Sequence, residues 1–265
     1  MLDDRLYASL SRKLASLPER AMQWRVMLDV LRDAPIEEAA QLAETILRRP
    51  MDSHRRPDLL RLRLLEVLAG ASPTPDFSLD YSFRRELYAA AHEQDAESVK
   101  RHLHSLPELA NADVLARRLP RDVAEIPLGR RRSLAKGADR LLLEKLAFDP
   151  DPVVMEHLLQ NPRTREADVV RIAALRPIGG DTLRRIDADA RWQANLRVRI
   201  AIARNPYCPI DLAMRLLPTL GTGVLEEIND DSGLAWPVRE AIEIELEARA
   251  EALCSPGAPK EEYSS

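Results

Sequence analysis

Apolar residues recur at helical spacing along nearly the whole chain. Leu6, Leu10, Leu14 and Leu17 form one stripe, which Pro18 stops, and Trp24, Met27, Leu28 and Leu31 form a second. Spacings of three and four place such side chains on one helical face. Pro35 stands where a first helical position belongs and leads into Leu42, Ile46 and Leu47. After the polar turn Asp52-Ser53-His54, Pro57 begins a fourth stripe of Leu60, Leu64 and Leu68, which Gly70 closes. Residues 1–70 are therefore predicted to form an N-terminal helical region. From Ala71 to Asp80 the periodicity lapses into prolines and small polar residues, the signature of a linker. Shorter helices are predicted over 83–92 and 96–106, a weaker one over 109–119, and irregular chain over 120–127. Residues 71–125 thus read as linker and short helices.

The C-terminal half repeats itself. Val154, Leu158, Asn161, Pro162, Val169 and Ile172 are echoed 44 residues later by Val198, Ile202, Asn205, Pro206, Ala213 and Leu216. Self-similarity at a fixed spacing marks stacked copies of one supersecondary unit. Pro162, Pro206 and Pro218 are followed, seven and ten residues on, by Val169/Ile172, Ala213/Leu216 and Leu225/Ile228. Pro177 is followed at six and nine by Leu183/Ile186. Each proline opens a turn that feeds a short amphipathic helix. Intervals of 44 between Pro162 and Pro206 and of 41 between Pro177 and Pro218 point to two kinds of half-unit per repeat. In the last copy, Trp236-Pro237 opens a helix with Val238, Ile242 and Leu246 on one face and Glu240, Glu243, Glu247 and Glu251 on the other, as a terminal cap requires. The array is predicted over 126–253, and the small polar residues 254–265 are expected to be disordered.

Composition supports an all-α chain. It is 45% hydrophobic but 4% aromatic, with 9 Gly among 265 residues, and Leu, Ala, Arg and Glu dominate. The 19 Pro suit many short helices rather than a few long ones. The net charge of −4 argues against a polyanionic partner for the chain as a whole. Its distribution is uneven, with 17 Lys/Arg against 11 Asp/Glu over 130–215 and 3 against 11 over 216–265. Two cysteines, Cys208 and Cys254, exclude a disulfide framework and an all-cysteine metal site, and read as free thiols in a reducing cytoplasm. The N-terminus carries no apolar run of the signal-peptide kind, and no stretch approaches the roughly 20 apolar residues of a bilayer span. The expected location is cytoplasmic, with no membrane association.

Asp149-Pro150-Asp151-Pro152-Val153-Val154, followed by Leu158-Leu159-Gln160-Asn161-Pro162-Arg163-Thr164, resembles the leucine-rich repeat variant group of bacterial helical repeats, relatives of HEAT-like arrays. Asn205-Pro206-Tyr207-Cys208-Pro209 resembles the same element with Cys in the Thr place. The segment from Ile126 to Pro218 is similar to repeat proteins of proteobacteria. The resemblance implies an all-α fold, a short right-handed α-solenoid of HEAT-like helix pairs behind the N-terminal helical region. The founding type of that group carries a cysteine-ligated iron–sulfur cluster before its repeats. This chain has no cysteine before Cys208, so the cluster is not carried over and no cofactor is expected.

No catalytic or metal-binding constellation stands out. His102 and His104 are two apart and point to different faces of a helix, and His54, His92 and His157 have no ligand-spaced neighbours. Gly179-Gly180 lacks the further glycines and lysine of a phosphate loop and reads as a turn. Asn161 and Asn205 are expected to end one helix and cap the next segment. The arginines carry the functional reading. Arg171 and Arg215 occupy equivalent places 44 residues apart, and with Arg176 and Arg184 they would line up as a ladder on a stacked array. Such a ladder suits an acidic protein partner, or less readily a nucleic-acid backbone. The bland alternative is that these arginines pair with Asp and Glu of the same chain. The chain is therefore expected to be a non-enzymatic protein-interaction or scaffold module, with a nucleic-acid-binding, repair-related repeat protein as the alternative.

Overall fold

The computed structural model describes residues 4–49, 58–71, 79, 81–104, 115, 118–137, 139–230 and 233–254. Every regular element among them is helical. The expected linker at 71–80, the weak helix at 109–119 and the tail after 254 lie almost wholly outside the described residues. The chain divides into two compact units.

The first unit contains α1 (Asp4–Ala15), α2 (Arg20–Asp33), α3 (Ile36–Arg48), α4 (Leu59–Ala69), α5 (Tyr81–Glu93) and α6 (Glu97–His104), together with a 3-10 turn (Leu217–Thr219), α15 (Thr222–Asn229) and α16 (Trp236–Cys254). Helix α4 touches α1, α2, α3, α6 and α16. It is apolar on every side rather than along one stripe, so Leu60, Leu62, Leu64, Leu65, Val67 and Leu68 are all buried. Gly70 ends it with φ at 77°, a left-handed conformation in which its N–H bonds Glu66 and Val67 carbonyls. Pro35 sits one residue before α3, at the N-cap rather than the first helical position.

Because α4 is central, its charged residues are buried too. Arg61 donates to Glu240 of α16 and, at 2.6 Å, to the Arg49 carbonyl. Glu66 pairs with Arg20 at 2.7 Å and with Arg63 at 2.5 Å. His102 lies 3.1 Å from the other Glu240 oxygen through Nε2 and 2.7 Å from the Ser98 carbonyl through Nδ1. A carbonyl only accepts, so Nδ1 is the donor to Ser98. The helix expected to cap the array thus joins the N-terminal helices. Glu240, expected on a solvated face, is 4% exposed because α4 presents a buried guanidinium to it.

The second unit contains α7 (Arg121–Ala124), α8 (Leu128–Leu134), α9 (Arg140–Leu146), α10 (Pro152–Gln160), α11 (Glu166–Ala173), α12 (Gly180–Ala188), α13 (Leu196–Ala203) and α14 (Ile210–Leu216). Residues 121–124, expected to be irregular, form a helical turn. The apolar pairs read from the prolines are buried throughout: Val169/Ile172, Leu183/Ile186, Ala213/Leu216 and, in the first unit, Leu225/Ile228.

Helices of the second unit pack on their next-but-one neighbours. Helix α10 lies against α8 and α12, and α11 against α13. Ion pairs extend the pattern. Arg140 of α9 holds Asp168 of α11, and Arg184 and Arg215 cross between α12 and α14 to Asp211 and Asp187. Two rows result, one of α8, α10, α12 and α14, the other of α9, α11 and α13. The 44-residue echo spans three helices, from α10 to α13, whereas the packing step is two. Successive copies of the same sequence element therefore fall in alternate rows, although Val154 and Val198 are both fully buried.

Asn161 and Asn205 do the same work in both rows. The Asn161 amide donates to the Ala135 and Gly137 carbonyls at the end of α8, at 2.8 Å each, and its oxygen accepts from the Arg163 N–H. Asn205 donates to the Ala173 and Leu175 carbonyls at the end of α11, at 2.6 and 2.9 Å, and accepts from Tyr207. Each asparagine thus makes the expected turn bond and also staples the helix two places earlier. The end of α10 is met from beyond α12, by Trp192 Nε1 to the Leu159 carbonyl and by Arg191 to those of Asn161 and Thr164.

These contacts set two expectations. An isolated cap is worth about 1 kcal/mol and tolerates Asp for Asn. A buried staple left with unsatisfied carbonyls should cost about 2–3 kcal/mol. Asn161→Asp, which keeps the turn acceptor but loses both donors, should lower the urea midpoint about as much as Asn161→Ala; a neutral Asp variant would remove the staple. In the first unit, Glu240→Ala leaves Arg61 buried and unpaired and should cost about 3–5 kcal/mol. Arg61→Met combined with Glu240→Leu should recover most of that loss, as read by a double-mutant cycle in denaturant.

Candidate interaction surface

The arginines of the second unit are largely spoken for by acids of the same unit. Arg131 donates to Asp149 at 2.7 Å, and Arg132 makes two bonds to Asp151, at 3.1 and 2.9 Å. Asp151 also caps α10 by accepting from Val153 and Val154 N–H groups. The Asp-Pro-Asp-Pro motif thus both starts a helix and pairs with Arg131 and Arg132 of α8. Arg140 and Arg184, 44 residues apart, make matching two-pronged pairs with Asp168 and Asp211.

The four arginines singled out from the sequence are placed as follows. Arg171 sits 3.4 Å from Asp168 on its own helix. Arg176 donates to the Arg204 carbonyl at 2.8 Å. Arg184 holds Asp211 at 2.5 Å, and Arg215 holds Asp187 at 3.0 Å. Arg171 belongs to α11 and Arg215 to α14, so the two fall in different rows and the packing does not align them as one ladder. Each of the four has a partner within the unit.

The arginines without a side-chain partner among the described residues include Arg163 and Arg165, which sequence reading passed over. Both are exposed in the turn between α10 and α11. Arg165 occupies the N-cap of α11 without a capping bond from its side chain. The corresponding residues of the same row are Asp139 before α9 and Asn195 before α13, both of which cap. A cation at a helix start opposes the positive end of the helix. That broken local rule was the available signal. Close by, Leu141 is 64% exposed and Leu196 48% exposed.

Other candidate chemistry resolves into structure. The Cys208 thiol is buried, and burial pushes its pKa well above the ordinary thiol range, which disfavours the nucleophilic thiolate. A Cβ on Gly180 would lie 3.0 Å from the Pro209 ring, so this glycine serves the close approach of α12 to the start of α14. His157 bonds the Arg132 carbonyl at 2.9 Å. Among the described residues no group of three His, Cys, Asp or Glu converges as a metal site, and no helix is long and apolar enough to cross a membrane.

The ion pairs set a pH dependence. The Arg132 guanidinium holds the Asp151 carboxyl below its usual range, and Arg140 does the same for Asp168. A depressed carboxylate stabilises the fold above its unfolded value of about 3.9, and that contribution is lost as pH falls through the folded value. Asp151→Asn with Asp168→Asn should lower the melting temperature at neutral pH and flatten its decline below about pH 4. An acid limb as steep as in the parent chain would contradict the assignment. No protein-family model, curated protein or solved structure matches the chain.

Proposed function

We propose that the second unit is a short α-solenoid of HEAT-like type and that the chain acts as a non-enzymatic protein-interaction module. The observation that carries this reading is the next-but-one packing of helices, tied by the same staple in both rows. Stacking at a constant step presents equivalent helix positions side by side, and such arrays bind other macromolecules along extended surfaces. The charge pattern supports it as well. Most arginines are consumed as ties between helices, leaving a small exposed set beside exposed leucines.

Amide hydrogen exchange on the chain with a copurifying protein tests the proposal. Protection gained on complex formation is expected on surfaces of α7–α14 at one-to-one stoichiometry. Nucleic acid is the competing partner, and its binding would fall steeply with salt, with a logarithmic slope of about −0.9 per phosphate contact. Salt-dependent duplex binding without any stoichiometric protein complex would replace the module reading.

A further inference from the structure

We propose that the edge formed by the first turns of α9, α11 and α13 docks an acidic, amphipathic protein segment. Leu141 and Leu196 receive its apolar side chains, and Arg163, Arg165 and Arg197 receive its carboxylates. The inference rests on the module reading and names the surface and the chemistry of the partner.

Hydrogen bonds show that the edge is continuous. From the start of α9, Arg140 reaches Asp168 and, at 3.5 Å, the Arg163 carbonyl. From the start of α13, Asn195 bonds Glu166 at 2.9 Å and Arg197 approaches it at 3.3 Å. Glu166 is the first residue of α11 and adjoins Arg165. The three helix starts therefore lie side by side, with Leu141 at one end and Leu196 at the other. Neighbouring helices 8–10 Å apart make the edge about 20 Å long, matching about 13 residues of an α-helix.

The chemistry of the edge selects its occupant. Arg163 and Arg165 have no side-chain partner among the described residues, and Arg197 is 81% exposed while it pairs with Glu166 at 3.3 Å. In the other row, Arg131, Arg132, Arg184 and Arg215 are each neutralised by an aspartate, and Arg130 of α8 is exposed. Arg140, Arg163, Arg165 and Arg197 outnumber Asp139, Glu166 and Asp168 at the three helix starts, and this small positive excess is complementary to carboxylates. The exposed leucines flanking it would gain from burial against an apolar face but offer nothing to a phosphodiester backbone. An acidic peptide with leucines along one helical face satisfies both features.

The test uses the full chain and a fluorescent synthetic peptide of about 13 residues, with leucines on one helical face and glutamates elsewhere. Saturable binding by anisotropy is expected. Arg163→Glu with Arg165→Glu should weaken it by about tenfold or more, and Leu141→Ser with Leu196→Ser by about fivefold. Arg184→Gln with Arg215→Gln, in the opposite row, should change it less than about twofold. The edge residues are exposed, so their variants should melt as the parent does. No saturable binding, equal binding by the edge variants, or tighter binding of a labelled duplex that ignores the leucine variants would overturn the proposal. Exchange protection by a protein partner elsewhere on α7–α14 would overturn this edge and leave the module reading standing.

Discussion

Short helices have a structural problem at their ends, and the second unit is organised around solving it. An α-helix leaves its last four carbonyls without intrahelical partners, and in helices of seven to nine residues that is about half of them. Stacking such helices brings those ends together in the interior, where an unsatisfied carbonyl is costly. The carboxamide of asparagine has two donors and one acceptor, enough to bond two carbonyls of another helix and still hold its own turn. Proline after it keeps the asparagine extended, as at Asn161 with φ −67° and ψ 126°, and lacks an N–H that would itself need a partner. The Asn-Pro turn therefore joins consecutive helices along the chain and alternate helices across space. Trp192 and Arg191 perform the second task at the end of α10.

Most of this local grammar is legible in the sequence, because prolines and apolar pairs act within one turn and one helix. All four proline-linked pairs are buried as their spacing requires. The packing step was not legible. An echo at 44 residues describes the chain, whereas stacking depends on next-but-one neighbours. With three helices per echo and two per step, equivalent residues alternate between rows. That mismatch is why Arg171 and Arg215 do not form one ladder. Helix α4 gave a signal that a single-stripe reading missed. Leu60, Leu64 and Leu68 define one face, but Leu62, Leu65 and Val67 occupy the others. A helix apolar all round is interior, so Arg61, Arg63 and Glu66 had to be buried with partners. Nothing local identifies Glu240, 179 residues from Arg61, as one of them.

The buried charges of the first unit and the paired charges of the second act differently. Around α4, desolvation makes each guanidinium dependent on its carboxylate, and loss of one partner strands the other. Arg61 and His102 both converge on Glu240, so α4, α6 and α16 share one polar junction with little tolerance for misplacement. In the second unit the arginines are partly solvated, and each pair contributes little stability by itself. Their value lies in register. Arg140 to Asp168, Arg184 to Asp211 and Arg215 to Asp187 each span 27 or 28 residues, the length of one packing step.

That step separates structural arginines from available ones. An arginine whose neighbour one step away is an aspartate becomes a tie between helices. One step from Arg163 stand Ala135 and Arg191, and one step from Arg165 stand Gly137 and Gln193. None of these is acidic, so neither guanidinium can be neutralised across the row. Local capping offers no use for them either, since a cation at a helix start is unfavourable. Both arginines therefore lie outside the acid pairs and carbonyl bonds that occupy Arg131, Arg132, Arg140, Arg171, Arg176, Arg184 and Arg185. Their exposure beside unburied leucines is a cost to the isolated fold, and a partner supplying carboxylates and apolar surface together would remove it.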